Sequence, residues 1–403
     1  MSHTEASPTP SADPNGRVIL RKGRARPLWF GHPWVYANAV EKVEGTPEPG
    51  DVVSLVDGDG RFIGQGLWNP RSQIPVRVLT RDDEALDAAF FVRRLQEAQS
   101  RRAAIGLPNE DTTVYRLVNS EGDQLPGLVV DVYGKAVAVQ ITTLGLWQRR
   151  ELVFEALAQT LAPEAIYQVA AGSYAELEGF VSVAGVARGP SHTSVSCRED
   201  GIALEVEPLV GQKTGMFIDQ RPARQRVGQW ARGRRVLDCY AYAGGFALQA
   251  ARGQAASVTA VDSSPRAVTR IEAHAAANQV AVTAVEADVF RFLQAATPGA
   301  YDLIIVDPPK FARARKDLEA ARKGYERLNT LALRAAAPGA LVVSCSCSQN
   351  VSGDDLERIV AAAGKAAGRR VTLLERLGPG ADHPLPPAFP EGQYLKVLCA
   401  YVD

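Results

Sequence analysis

Two cysteines two residues apart, Cys345 and Cys347, close the apolar run Val342-Val-Ser-Cys-Ser-Cys-Ser-Gln349. Strand alternation sends both thiols to one side, with Cys347 nearer the carboxyl end, where strands of a parallel sheet face a ligand crevice. A thiolate there can add to carbon 6 of a pyrimidine, which makes carbon 5 nucleophilic enough to take a methyl group from a sulfonium; loss of the carbon-5 proton and of the thiolate completes the cycle. A cysteine on a strand is otherwise a small buried hydrophobe, and that role falls to Cys345. Upstream, the run Tyr301-Asp-Leu-Ile-Ile-Val ends in Asp307-Pro308-Pro309-Lys310-Phe311. The prolines stiffen this turn, so a ligand or a base meets Asp307 and the backbone at Pro308 in preset positions. Asp307 would hold the edge of a cytosine and, sharing a proton with ring nitrogen 3, help the ring accept electrons. The same turn suits methylation of an exocyclic amino nitrogen, which needs no cysteine.

Three further carboxylates end apolar runs. Asp238 precedes Cys-Tyr240-Ala-Tyr-Ala243-Gly244-Gly245-Phe246, whose small residues let the backbone pass close to a ligand. Asp262 ends Ser257-Val-Thr-Ala-Val and is placed for ribose hydroxyls; Asp288 follows Glu286-Ala and is placed for an adenine amino group. A nicotinamide dinucleotide also has an acid after its second strand, but its G-x-G-x-x-G is missing here and Asp238 would repel a pyrophosphate. S-adenosylmethionine is cationic at its sulfonium and amino group and carries no phosphate. Helix capping is the bland role for each aspartate; three at successive strand ends favour the methyl donor.

The elements that must carry these residues alternate. Apolar runs at Val236-Leu237, Val258 to Val261, Val282 to Val285, Leu303 to Val306 and Leu341 to Val343 are separated by helical segments, which predicts a doubly wound α/β domain over residues 206–403. Before it, short β-runs broken by Gly and Pro predict a small barrel over 16–82, and a helix near Ala85 to Gly106 leads into a central α/β domain within 83–205. That domain includes strands on either side of Gly134-Lys135 at hairpin spacing and a helix from Leu146 to Leu161. Residues 1–15 have the composition of a disordered tail, with neither the basic start nor the apolar core of a signal peptide. Five cysteines in 403 residues form no disulfide framework and no metal-ligand pair, so a reducing cytoplasm is expected and no metal is called for. No apolar stretch is long enough to span a bilayer.

These motifs together resemble the ribosomal RNA large subunit methyltransferase I family. The resemblance rests on Lys213-Thr-Gly-Met-Phe-Ile-Asp219-Gln220-Arg221, the Ala-Gly-Gly turn, Asp307-Pro-Pro-Lys-Phe311, Ser346-Cys347-Ser348 and the closing His383-Pro…Phe389-Pro-Glu391…Tyr394-Leu-Lys396. It covers nearly all of the chain after the tail. It implies an amino-terminal PUA domain, a central β-α-β domain and a Rossmann-like class I methyltransferase domain that forms 5-methylcytosine in 23S rRNA, leaving S-adenosylhomocysteine. It further implies that Gln220 and Arg221 border the cofactor, that Asp262 and Asp288 hold its ribose and adenine, and that Cys347 is the nucleophile. Gln124, in Arg116-Leu-Val-Asn-Ser-Glu-Gly-Asp-Gln-Leu-Pro-Gly-Leu128, stands where the family more usually has glycine.

The 45 basic and 45 acidic residues cancel, yet basic side chains cluster locally. Arg21, Lys22, Arg24 and Arg26 lie beside Trp29, Phe30, Trp34 and Tyr36, and charge with stacking surface suits RNA. Lys310 and Arg313 begin a second basic stretch, in which Arg315 with Glu319 and Arg322 with Glu326 have the spacing of helical ion pairs. The expected partner is large-subunit rRNA or an assembling particle, with no membrane and with a homodimer left open. Besides the exocyclic-amine enzyme, the remaining alternative is a non-catalytic RNA-binding assembly factor.

Overall fold

A computed structural model describes residues 12–210, 214–311 and 317–403. Residues 1–11 of the expected tail, Lys213, Arg313 and Arg315 lie outside the described residues. The chain packs as two compact units. One holds the chain up to Cys197 with Val206–Met216 and Ala381–Gly392; the other holds Arg198–Glu205, Phe217–Gly380 and Gln393–Asp403.

The first unit begins with β1 (Gly16–Leu20), the short helix α1 (Arg26–Trp29), β2 (Trp34–Val35), β3 (Val40–Gly45), β4 (Val52–Val56), β5 (Phe62–Trp68) and β6 (Val76–Thr80). They form one six-stranded sheet in the order β2-β6-β5-β4-β1-β3, around a core that includes Val18, Leu20, Leu55 and Val76. Asn15 N–H donates to Val52 O and Leu86 N–H to Ala12 O, so residues 12–15, which the sequence reading gave to the tail, are pinned to this unit. Next come α2 (Ala88–Ala103), β7 (Val114–Asn119), β8 (Leu128–Tyr133), β9 (Ala136–Ile141), α3 (Leu144–Gln148), α4 (Arg150–Leu161), β10 (Ala165–Val169), α5 (Ser173–Glu178) and β11 (Gly185–Arg188). Their sheet runs β11-β10-β9-β8-β7. The expected hairpin at Gly134-Lys135 joins β8 to β9, with Gly134 at φ 59° as its tight turn requires. The single helix expected from Leu146 is two, broken at Arg149, whose buried guanidinium donates to the Gly50 and Gly145 carbonyls.

Residues 381–392 were expected within the methyltransferase domain but pack with the first unit. Asp382 is the reason: its Oδ2 accepts from Arg116 N–H at 3.0 Å, and its carbonyl accepts from the buried Arg102 at 2.8 Å. Further along, Phe389 meets Trp34 edge-on at 4.6 Å and Glu391 accepts from the Tyr36 hydroxyl.

A hairpin of β12 (Val195–Glu199) and β13 (Ile202–Val206) precedes the second large sheet. That sheet is built from α6 (Arg221–Trp230), β14 (Arg235–Cys239), α7 (Gly245–Arg252), β15 (Ser257–Asp262), α8 (Pro265–Ala277), β16 (Thr283–Glu286), α9 (Val289–Ala295), β17 (Tyr301–Val306), α10 (Leu318–Ala335), β18 (Ala336–Ser346), α11 (Gly353–Ala367), β19 (Val371–Leu377) and β20 (Lys396–Val402). The strand order is β16-β15-β14-β17-β18-β20-β19, parallel from β16 to β18 and antiparallel at β20 and β19. Alternation along each strand builds two cores: Val236, Ala260, Ile305 and Val343 pack beneath α6, α7 and α8, while Leu237, Val261, Ile304 and Val342 pack beneath α9, α10 and α11. Apolar residues on both faces explain why these strands read as unbroken apolar runs. β14 is the switch point, with β15 on one side and β17 on the other, so the crevice lies beyond its carboxyl end. On α10, Arg322 pairs with Glu319 and Asp355 and not with Glu326 as expected, because α11 brings Asp355 alongside. Among the described residues no helix is long and apolar enough to cross a membrane.

Candidate active site

β14 ends by burying Asp238 at 1% exposure against the first turn of α7, where Ala247 N–H donates to its Oδ2 at 3.0 Å. Its Oδ1 is buried without a hydrogen-bond partner among the described residues. Burial pushes this carboxyl up from 3.8 to about 8, the Ala247 bond opposes the shift, and the nearby charges of Asp307 and Asp262 add to it.

The loop after Asp238 turns sharply, with positive φ at Tyr240 (64°), Tyr242 (51°) and Gly244 (82°). Left-handed backbone at the two tyrosines costs on the order of 1 kcal/mol or more each, so other bonds must hold it. Tyr240 and Ala241 N–H both donate to Val261 O, and Tyr242 N–H donates to Asp262 Oδ2 at 3.0 Å. Asp262 also accepts from Ser264 N–H at 2.9 Å, and its carboxylate retains capacity for further donors. Asp288 is exposed and caps α9 through Arg291 N–H at 2.9 Å, so helix capping by itself accounts for its position.

Across the switch point, Asp307 stands half-buried at the end of β17 and accepts from Gln220 Nε2 at 3.0 Å. Gln220, in the turn before α6, is 3% exposed and its amide oxygen has no hydrogen-bond partner among the described residues. Arg221 and Arg224 both turn to Glu199, Arg224 with bonds of 2.5 and 2.7 Å. The guanidinium that faces Asp238 from α6 is therefore neutralised, and Asp262 and Asp307 surround the Asp238 carboxyl with like charge. An orphaned buried carboxylate oxygen amid like charges fits the amino and sulfonium cations of S-adenosylmethionine and opposes a pyrophosphate.

β18 places Cys345 in the core at 0% exposure, where burial raises its thiol well above the ordinary value. Cys347 lies half-buried just past the strand's last residue, on the side of the sheet that Cys345 faces. Its flanks are tied down. Ser346 Oγ donates to the Tyr325 hydroxyl at 3.1 Å, and Lys396 Nζ donates to Ser348 O and Tyr394 O at 2.5 and 2.8 Å. Pro308 is buried and Lys310 exposed beside Asp307.

Sequence reasoning missed Tyr325 and His274. His274, on α8, is 3% exposed; Nδ1 bonds the Ala243 carbonyl at 3.0 Å and Nε2 takes Glu205 N–H at 3.0 Å. A carbonyl on one nitrogen and an N–H on the other admit only the neutral ring with its proton on Nδ1. Burial lowers its pKa from 6.5. The folded value thus lies below the unfolded one, so the contribution to stability is complete above about pH 6.5 and is lost as pH falls through the folded value. In thermal melts at about pH 7.5 and about pH 5.5, wild type should lose more stability on acidification than His274→Gln does. Equal losses would remove His274 as the cause.

In the first unit, Arg21, Lys22, Arg24 and Arg26 are exposed, as are Trp29 at 52% and Phe30 at 70%. Lys22 pairs with Asp59 and Arg26 lies over the Phe30 ring. Trp34 and Tyr36, grouped with them in the sequence, are committed to Glu121, Phe389 and Glu391 and serve packing.

Comparison with known proteins agrees with this architecture. Residues 18–81 match the model of a PUA-like domain, and residues 184–393 match that of an S-adenosylmethionine-dependent methyltransferase. Ribosomal RNA large subunit methyltransferase I of Shewanella denitrificans is 38% identical over 394 residues, covering 96% of this chain and 99% of its own. The protein of that name from Aeromonas salmonicida is 38% identical, covering 94% and 98%. A putative S-adenosylmethionine-dependent methyltransferase from Streptococcus mutans superposes with a TM-score of 0.81 at 22% identity, over 96% of this chain and 99% of its own. A putative methyltransferase solved with S-adenosylhomocysteine superposes at 0.82 and 22% identity, over 96% and 99%.

Proposed function

The chain belongs to the ribosomal RNA large subunit methyltransferase I family and is an S-adenosylmethionine-dependent methyltransferase; from that premise we propose that it methylates carbon 5 of a cytosine in 23S rRNA through a covalent bond to Cys347. The observation that carries this reading is that half-buried Cys347 lies just past the end of β18 and Asp307 just past the end of the adjacent parallel strand β17, with Val306 paired to Ser344 in register.

S-adenosylmethionine, when bound, supplies an electrophilic methyl group. Asp238 receives its cationic end, Asp262 its ribose and Asp288 its adenine, while the Tyr240–Gly245 loop, Gln220, Arg221 and Pro308 border it. Cys347 adds to carbon 6 of the cytosine, Asp307 holds the base edge, and carbon 5 then attacks the methyl group. Asp307 also faces the cofactor, and Gln220 fixes its carboxylate. Once the carbon-5 proton is removed, the thiolate leaves and the ring is restored. Bisulfite or mass mapping of rRNA from cells with and without the gene tests the assignment: one 5-methylcytosine in 23S rRNA should vanish, and an unchanged cytosine pattern would refute it.

Arg21, Lys22 and Arg24, with Trp29 and Phe30 exposed beside them, are assigned to RNA, as are Lys310, exposed next to the Asp307 turn, and, from the sequence alone, Arg313. The double substitution Arg21→Glu with Arg24→Glu should weaken binding of an rRNA fragment by about 10-fold or more and flatten its salt dependence. S-adenosylmethionine affinity should stay unchanged. Unaltered RNA affinity in filter binding would place the RNA surface elsewhere.

A further inference from the structure

Ser346 is the last residue of β18 and shares its face with Val342, so its side chain points towards α10, while Cys347 lies on the side that Cys345 faces. Ser346 and Ser348 are both wholly buried. The Ser346 hydroxyl closes a short turn around the cysteine: its Oγ accepts from Ser348 N–H at 3.4 Å and donates to the Tyr325 hydroxyl at 3.1 Å. Tyr325, on α10 and 0% exposed, meets a second loop with its ring. Phe311, which ends the Asp307-Pro-Pro-Lys-Phe turn, packs against it with ring centroids 4.7 Å apart and planes at 49°. The helix is shaped for that phenyl. At Gly324 a Cβ would lie 3.1 Å from Phe311 Cδ2, so a residue that weakens a helix interior leaves the space the ring needs. α10 is itself anchored, with Arg322 bonding Asp355 of α11 at 2.7 Å.

We propose that Tyr325 is a positioning residue for methyl transfer: its hydroxyl holds the turn that carries Cys347, its ring holds the turn that carries Asp307, and this one side chain thereby fixes the spacing of thiol and carboxylate about the base. Resting on the assignment of Cys347 as nucleophile, this names the residue that sets where the thiol stands. Parallel pairing of β17 with β18 ends at Val306 and Ser344, and β18 pairs with β20 only as far as Ser346, so the residues beyond need other tethers. Addition of the thiolate to carbon 6 depends on a defined approach, and a displacement of about 1 Å costs about 100-fold in rate. Tyr325 performs no proton chemistry itself. Burial pushes its hydroxyl up from 10.0 to about 12, hydrogen bonds from Ser346 and the Phe311 backbone act to lower it, and the charges of Cys347 and Asp307 to raise it, so it stays protonated at neutral pH.

Tyr325→Phe removes the hydroxyl and keeps the ring. In full-length protein at saturating S-adenosylmethionine, with labelled methyl transfer to an rRNA fragment as the readout, kcat should fall by about 10-fold or more, while KM for RNA and the calorimetric affinity for S-adenosylmethionine stay within about 2-fold of wild type. Ser346→Ala breaks the same bond from its other partner and should lose at least as much, because it also releases Ser348 N–H. The double variant should be no slower than Ser346→Ala alone, since both substitutions act through one contact. A tyrosine that only fills the core would lower the melting temperature of Tyr325→Phe and leave kcat within about 2-fold, and that result overturns the proposal. Losses that multiply in the double variant overturn it as well. If Tyr325→Phe does not fold, Ser346→Ala decides by the same limits: a fall in kcat alone supports the proposal and an unchanged kcat overturns it. Failure of the nucleophile assignment would look different, as transfer undiminished in Cys347→Ala whatever Tyr325→Phe does.

Discussion

Replacement of Cys347 by alanine is expected to lower kcat/KM for methyl transfer to RNA by at least about 10^3-fold while leaving S-adenosylmethionine affinity within about 2-fold of wild type. Carbon 5 of cytosine has no nucleophilic character until a group adds at carbon 6, so loss of the thiolate removes the reaction path and not merely a stabilising contact. No neighbouring thiol can substitute. Cys239 and Cys345 are wholly buried with thiols raised well above the ordinary value, and burial pushes Cys399 up to about 12. Cys345→Ala, which opens only a small space in the core beneath α6 to α8, should therefore keep turnover within a few-fold while lowering stability by about 1 kcal/mol. The pair of variants separates two chemistries, because methylation of an exocyclic amino nitrogen would continue in Cys347→Ala. Transfer of labelled methyl groups to an rRNA fragment reads both, and undiminished transfer without Cys347 would end the thiolate mechanism.

The five parallel strands of the second unit were legible because each is covered on both faces and so reads as an apolar run: Leu303 to Val306 foretold β17, and Val258 to Val261 foretold β15. The last two strands were not. β19 alternates half-buried and exposed residues at the sheet edge, and β20 inserts between β18 and β19, a spatial order that local pattern does not encode. Strand-end acids could be named for the same reason that the strands could. Their partners could not, since Gln220 reaches Asp307 and His274 reaches Ala243 across long stretches of sequence. The segment from Ala381 to Gly392 shows a related blind spot: its contacts with Arg102 and Arg116 join residues from opposite ends of the chain, and nothing in its composition announces them.

Asp238→Asn is expected to weaken S-adenosylmethionine binding by about 10^2-fold and to abolish the pH dependence of that binding between about pH 6 and about pH 8. In the ligand-free protein burial holds this carboxyl up at about 8, so at neutral pH it is mostly protonated. A cationic ligand favours the carboxylate, so binding expels the proton; wild-type affinity should rise with pH below about 8 and level off above it. Calorimetry in buffers of different ionisation enthalpy should show up to one proton released per bound cofactor near neutrality in wild type and none from this site in the asparagine variant. The sign for stability runs opposite. A folded value of about 8 against an ordinary value of 3.8 makes the ligand-free fold most favoured, as far as this group is concerned, below about pH 4, with that contribution lost as pH rises towards about 8. Asparagine keeps an oxygen acceptor for Ala247 N–H and carries no charge to desolvate, so the ligand-free variant should lack that loss. Equal pH dependence in the two proteins would show that another group receives the cation. A variant that gains stability without cofactor while losing affinity for it would show that the buried charge is kept for binding at the expense of the fold.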